Sequence, residues 1–545
     1  MKRNTLFLTS FYLIFLIVGI FTVKDYGIGI EEIFQRASGF YWLKFIISIF
    51  GFEYLGTLSE FKFLESYSIN PSLPKVTDNL AYGIIFDLPV AFIELLINFD
   101  DFKYNIYLKH FLSFFIFLIS GVCFSYILIK RFSNFYVTFF GTFAYCLSPK
   151  IYGASFFDGK DLFFLSLFTI TIFFYQKYEY EKKKINLVIF ALFAAFLTSS
   201  RPPGLMIPIS FLSIYFLKII SDFEIKKYLK IIFLFIFLYL IFLYLHWPLF
   251  WDFLNYKFDE MYTYANITFF FNEEFYKQRS LPISYIPKWI FISTPLFILF
   301  FFTIGIFLTL KRIFLRLINT KHNLIKKYKF DFWRSKKEES DFFLILCFFQ
   351  TLIIYLTFND KLTASWRHFF FFHFFLIYYF SFSLNFFLII IRNIKIKILS
   401  GLILLILNFE VIYKLYLYHP YQNSYFNNFL SKKEKLSYER DTAHLSRIDA
   451  LRDIFLDAQN KEYINVGNAS ASPLSDVMMM FSQDQINKIK LIGNDNLENA
   501  DYIFTNYIYE VNIFNNSKYE IPGNFKLYKS VVKNDTLIYS IYKKK

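Results

Sequence analysis

Long apolar runs alternate with short charged connections along most of this chain. "TLFLTSFYLIFLIVGIFTV", "FLSFFIFLISGVCFSYILI" and "IIFLFIFLYLIFLYL" are three of the runs. A hydrocarbon layer about 30 Å thick takes roughly 20 apolar residues to cross as a helix. The pattern predicts spans at 5–23, 107–129, 133–149, 161–177, 185–200, 203–219, 229–246, 289–310, 341–358, 368–391 and 398–418. The fold class expected is therefore an α-helical polytopic membrane protein. After position 418 the pattern changes. Short β-like runs ("EYINVGNAS", "IKLIGN", "DYIFTNY", "TLIYSIY") surround "SRIDALRDIFLDAQN", where Ile448, Leu451, Ile454 and Phe455 share one helical face. This predicts a membrane domain over 1–418 and a small extracytoplasmic α/β domain over 419–545.

Charge fixes the expected orientation. Lys and Arg crowd "MKRN", "KYEYEKKK", "KIISDFEIKKYLK", the stretch "KRIFLRLINTKHNLIKKYKFDFWRSKK" and "RNIKIK". Such residues near span ends favour the cytoplasm. With eleven spans and the N-terminus inside, every connection obeys this rule. It puts 24–106, 150–160, Arg201, 247–288, 359–367 and the tail outside, at the extracytoplasmic face. The net charge of +15 then belongs to topology, with no call for nucleic acid as a partner. The first run starts like a signal peptide but lacks a small-x-small cleavage site, and it is read as a retained span. Cys123, Cys146 and Cys347 lie in or beside apolar runs, and no Cys or His stands at metal-ligand spacing.

Five polar clusters fall on the outer rim: Asp25 with Glu31 and Glu32; Asp158 with Lys160 and Asp161; Arg201; His246 with Asp252; and Trp366, Arg367 and His368. Charges so near hydrocarbon are costly and call for a partner or a function. Each cluster also has a plain reading. Asp161 suits a helix N-cap at a hairpin tip, Arg201 and Trp366 suit interfacial anchors, and His246 before Trp-Pro suits a span terminator. Taken together, guanidinium groups and carboxylates on one rim suit a lipid-linked phosphate with a transferable head. Arg and Lys hold the phosphate, and a carboxylate takes a proton from the acceptor.

The same segments resemble the multi-spanning glycosyltransferases of the GT-C superfamily, in the bacterial branch similar to protein O-mannosyltransferases and lipid A aminoarabinose transferases. The resemblance is carried by "GIGIEEIFQRASGFYWL", "LSPKIYGASFFDGKDLFF", "SSRPPGLMI", "ASWRHFFFFHFF" and "HPYQNSYFN", in that order, from about residue 20 to 450. The first-loop pair is Glu31-Glu32 where the branch usually has Asp-Glu, and "ERDTAHLSRIDAL" replaces a segment more like Asp-Tyr-Trp-Gly. The resemblance implies a polyprenyl-phosphate sugar as donor and an inverting transfer to a glycan, lipid or protein acceptor. A divalent metal is used by some members and not others.

The expected roles follow. Either Glu31 or Glu32 is the base, with Glu32 preferred and Asp25 or Asp161 in support. Lys160, Arg201, Arg367 and His368 hold the donor phosphate. A transporter or flippase, a polymerase or ligase of lipid-linked glycans, and an assembly protein are the competing classes. Transporters place ionisable groups near the midplane and break helices there, whereas here the charges gather at span ends.

Overall fold

A computed structural model describes residues 2–52, 56, 61–62, 64, 83–222, 224–251, 268–323, 332–358, 364–510 and 517–545. Each predicted span falls on a helix. They are α1 (Lys2–Thr22), α4 (Phe102–Phe132), α5 (Phe135–Leu147), α7 (Asp161–Glu181), α8 (Lys184–Ser200), α9 (Met206–Asp222), α10 (Ile225–His246), α12 (Leu296–Asn323), α13 (Lys336–Phe358), α14 (Phe372–Ile390) and α15 (Ile394–Tyr418). Among the described residues, eight helices are long and apolar enough to cross a membrane, and α5 and α8 are shorter apolar helices. This is a polytopic helical membrane protein.

Local chemistry sets the helix ends. The Asp101 side chain accepts from the Lys103 amide (3.1 Å) to start α4, and Asn134 accepts from Tyr136 (3.0 Å) to start α5. Prolines divide one predicted span and add a helix to a predicted connection. Pro295 has no N–H to donate and holds Thr294 extended, so the run predicted at 289–310 is split into α11 (Tyr285–Ser293) and α12. Pro149 likewise opens a separate short helix, α6 (Pro149–Phe157), after the extended Ser148.

The connection 24–106 is itself partly helical. It holds α2 (Glu32–Ile49) and α3 (Asp87–Ile97), tied by the Arg36 Nε donor to Glu94 Oε1 at 2.8 Å. A hairpin of β1 (Thr268–Phe271) and β2 (Glu274–Lys277) precedes α11.

Beyond α15 come α16 (Arg447–Asp457), α17 (Gln483–Lys488) and strands β3 (Ile464–Asn468), β4 (Ile489–Ile492), β5 (Tyr502–Thr505), β6 (Phe525–Lys533) and β7 (Thr536–Lys544). The sheet order is β4-β3-β5-β7-β6, with β3 parallel to both neighbours and β7 antiparallel to both of its own. Ile448, Leu451 and Ile454 of α16 are buried in the same hydrophobic cluster as Phe15, Phe114 and Phe156 of the helical bundle. The sheet segment and the bundle share one core.

Candidate functional site

Ion pairs bring together the stretch after α1, the starts of α4 and α7, the end of α8 and the turn before α14. There the chain gathers four of the predicted residues. Asp161, the first residue of α7, is 3% exposed and pairs with the Arg201 guanidinium at the end of α8. Arg367, just before α14, stands 3.6 Å from Asp161 through Nε and pairs with Glu31 through Nη2. Two arginines thus flank one buried aspartate, and a glutamate closes the row. Lys160 and His368 lie in the same electrostatic field.

Glu31 and Glu32 point to different partners, as neighbours near 100° apart on a helix must. Partial burial pushes the Glu31 carboxyl up, but Arg367, Lys160 and Arg201 outweigh it and hold it well below the usual range. Glu32 is 1% exposed. Its carboxylate receives the Gly29 amide at 2.7 Å, and His110 Nε2 sits 3.1 Å from each of its oxygens. The ammonium of Lys109 is 3.7 Å away and also donates to Gln35 at 2.7 Å. Burial opposes ionisation of Glu32, yet His110, Lys109 and the Gly29 amide lower its pKa on balance.

Between these groups opens a small cleft of about 30 Å³. Glu31, Glu32, Asp158, Arg367, Asn423 and Thr442 are among its lining residues. Asp158 is the capping residue here, in place of the expected Asp161: its Oδ1 accepts the amides of Asp161 (2.7 Å) and Lys160 (3.2 Å). That leaves the Asp161 carboxylate for the two arginines. Burial, then the charge of Asp161, pushes the Asp158 carboxyl up.

Other expectations are redirected. Asp25 stands apart from the cleft and pairs with His419 at 3.0 Å. Trp366 is 1% exposed and donates to Ser293 Oγ at 2.8 Å, so it is packed in protein and is not an interfacial ring. Arg201 is buried beside Asp161 and does not serve as a lipid-surface anchor. His246 pairs with Ser199 Oγ at 2.7 Å at the end of α10, the place of a span terminator. Asp252 lies outside the described residues.

The segment "HPYQNSYFN" supports the floor of the cleft. Lys150 Nζ donates to the Asn423 carbonyl at 2.7 Å, Tyr26 donates to Gln422 at 3.0 Å, and Asn423 donates to Thr442 at 3.0 Å. Burial brings the Lys150 pKa down to about 7.

Among the described residues no three His, Cys, Asp or Glu side chains form a group suited to a metal ion. Glu31, Glu32 and Asp161 are each matched to a cation or an imidazole, whereas Asp158 accepts two backbone amides. Sequence reading missed His110 and Lys109. Both fall at the start of the run "KHFLSFFIF", where a polar pair reads as a helix boundary. No model of a known protein family matches this chain, and no curated protein is similar to it.

Proposed function

We propose that this protein is a membrane glycosyltransferase that moves a sugar from a polyprenyl-phosphate donor to an acceptor at the periplasmic face of a bacterial inner membrane. In this reading the helices make eleven crossings and the residues after 418 are periplasmic. One observation supports it above the others. Two arginines and two carboxylates converge at span ends, beside a cleft that Glu32 and Asp158 also line.

The donor tail lies among the helices and its phosphate lies against Arg201 and Arg367, with Lys160 and His368 adding to the field. Asp161 and Glu31 hold the guanidinium groups in place before the donor arrives. Glu32 takes the proton of the acceptor O–H as its oxygen attacks the anomeric carbon. The bond from that carbon to the phosphate oxygen breaks on the opposite side, inverting the centre. Polyprenyl phosphate leaves with the electron pair, its charge met by the arginines. His110, 3.1 Å from both Glu32 oxygens, orients the base.

The test is release of polyprenyl phosphate from a labelled polyprenyl-phosphate sugar by purified protein, with glycan- and lipid-containing membrane extract as acceptor. The parent protein should release it in an acceptor-dependent way. Glu32→Gln should lower turnover by about 10²–10⁴-fold, the usual worth of a general base, with donor binding retained. Acceptor-independent release, or Glu32→Gln at parental turnover, would overturn the assignment.

A further inference from the structure

The sheet segment carries a second cavity, of about 390 Å³, lined by Thr505, Tyr507, Tyr509, Tyr519, Glu520 and Tyr542 among others. That volume lies within the range of small-molecule sites, which combine apolar walls with a few placed polar groups. Four tyrosines in one cavity give that combination, because each ring is an apolar face ending in a hydroxyl. The Tyr509 and Tyr519 rings stand 5.3 Å apart and 50° from parallel, so they form a corner and not a slot.

A second observation is independent of the lining. Tyr507 has a φ of 61°, the left-handed region that a bulky side chain enters only under constraint. The constraints are visible. Its amide donates to Thr505 Oγ1 at 3.1 Å, its hydroxyl donates to Ser540 Oγ at 2.7 Å, and the Arg440 guanidinium lies 4.9 Å from its ring centroid. These contacts fix the position of a ring that lines the cavity.

The cavity also adjoins the cleft along the chain. Asn506, between Thr505 and Tyr507, donates to Asp441 at 3.1 Å, and the next two residues, Thr442 and Ala443, line the cleft.

We infer that the tyrosine cavity is a saccharide-binding site. A pyranose presents an apolar C–H face and a rim of hydroxyls, which match angled tyrosine rings with Thr505 and Glu520 at their edge. A flat heteroaromatic ring would call for parallel walls, and a lipid chain for a lining without carboxylate. That the saccharide is the acceptor glycan rests on the glycosyl-transfer reading; the binding itself does not.

The experiment is saturation-transfer NMR on the full-length protein in nanodiscs free of glycoside detergents. The probes are methyl β-glucoside, methyl α-mannoside and N,N′-diacetylchitobiose. At least one should receive saturation at its ring C–H protons. Tyr509→Ala should weaken that sugar at least about tenfold and Tyr509→Phe only a few-fold, since the phenyl face remains. Glu520→Ala, at an exposed position, tests the hydroxyl rim without touching the sheet and should weaken binding several-fold. No transfer to any of the three probes, or equal transfer in Tyr509→Ala and Glu520→Ala, overturns the inference. Because no sugar transfer enters the readout, a protein that binds a saccharide but transfers none would overturn only the enzymatic reading.

Discussion

Asp161 and Asp341 are both buried aspartates set between two arginines, at opposite ends of the helices. Asp341 is fully closed. Its Oδ1 accepts from Arg131 Nε (2.7 Å) and from the Tyr378 hydroxyl (2.5 Å), and its Oδ2 accepts from Arg131 Nη2 (2.6 Å) and from Arg312. Asp161 has Arg201 and Arg367 beside it, but neither of its oxygens has a well-aligned hydrogen bond among the described residues. Each aspartate has charged neighbours. Lys218 is held between Glu179 (2.8 Å) and Glu339 (2.5 Å), and Tyr215 donates to Glu179 at 2.7 Å. Glu31, next to Asp161 in the row, lines the cleft. The same pairing of one aspartate with two arginines uses every carboxylate lone pair at Asp341 and leaves hydrogen-bonding capacity at Asp161.

The sharpest way to break this comparison is to remove each aspartate. Asp341→Ala leaves Arg131 and Arg312 buried without their carboxylate and should cost about 3–5 kcal/mol. It would appear as loss of monodisperse protein on size-exclusion after extraction. Asp161→Asn, in which Arg367 keeps Glu31, should lose less folded protein than Asp341→Ala while lowering the proposed sugar transfer by at least about tenfold. Equal loss of folded protein in both variants would erase the distinction between the two aspartates.

A smaller effect is expected at Arg367. Lysine keeps the charge but not the planar fork that can grip a phosphate with two hydrogen bonds. Losing one charge-assisted hydrogen bond, about 1.5–3 kcal/mol, should raise the donor KM about 10–100-fold in Arg367→Lys. Folded yield should not change, because Glu31 and Asp161 still meet a cation. An unaltered donor KM would remove Arg367 from phosphate binding.

A separate test uses pH. Glu439 is 5% exposed and accepts the Phe270 amide at 3.0 Å. Burial pushes its pKa up to about 8. Because the folded value is the higher one, its contribution is complete below the usual glutamate range near 4.5 and is lost as pH rises through about 8. Over that window the contribution of this group to stability should fall as pH rises. The thermal midpoint should drop between pH 5 and 8 in the parent, and Glu439→Gln should flatten the slope. A parental slope in Glu439→Gln would assign the pH response elsewhere.

Much of this arrangement was legible in the sequence because two strong signals set it. Apolar runs of sufficient length located the helices, and alternating Lys/Arg content put Glu31, Asp161, Arg201 and Arg367 on one rim. Partnerships within the rim were not legible. Whether Asp158 or Asp161 caps α7 depends on backbone angles, and two acids three residues apart look equally suitable. His110 meets Glu32 from a helix that begins 70 residues later in the chain, a distance that no local pattern spans. Strand β6 was missed for a physical reason. It is mostly exposed, so "FKLYKSVVK" lacks the apolar alternation that marked β3, β4, β5 and β7.

Gly27 is met by the Leu445 carbonyl oxygen so closely that a Cβ there would stand 2.2 Å from it. The contact is reinforced when Arg447 donates to the Ile28 carbonyl at 2.8 Å and the Ile30 amide donates to Ala443 at 3.3 Å. The stance of the acidic stretch is therefore dictated by residues made more than 400 positions later. A ribosome will have threaded nearly every helix into the bilayer before these clamps exist. The cleft is consequently among the last parts to be finished during biosynthesis.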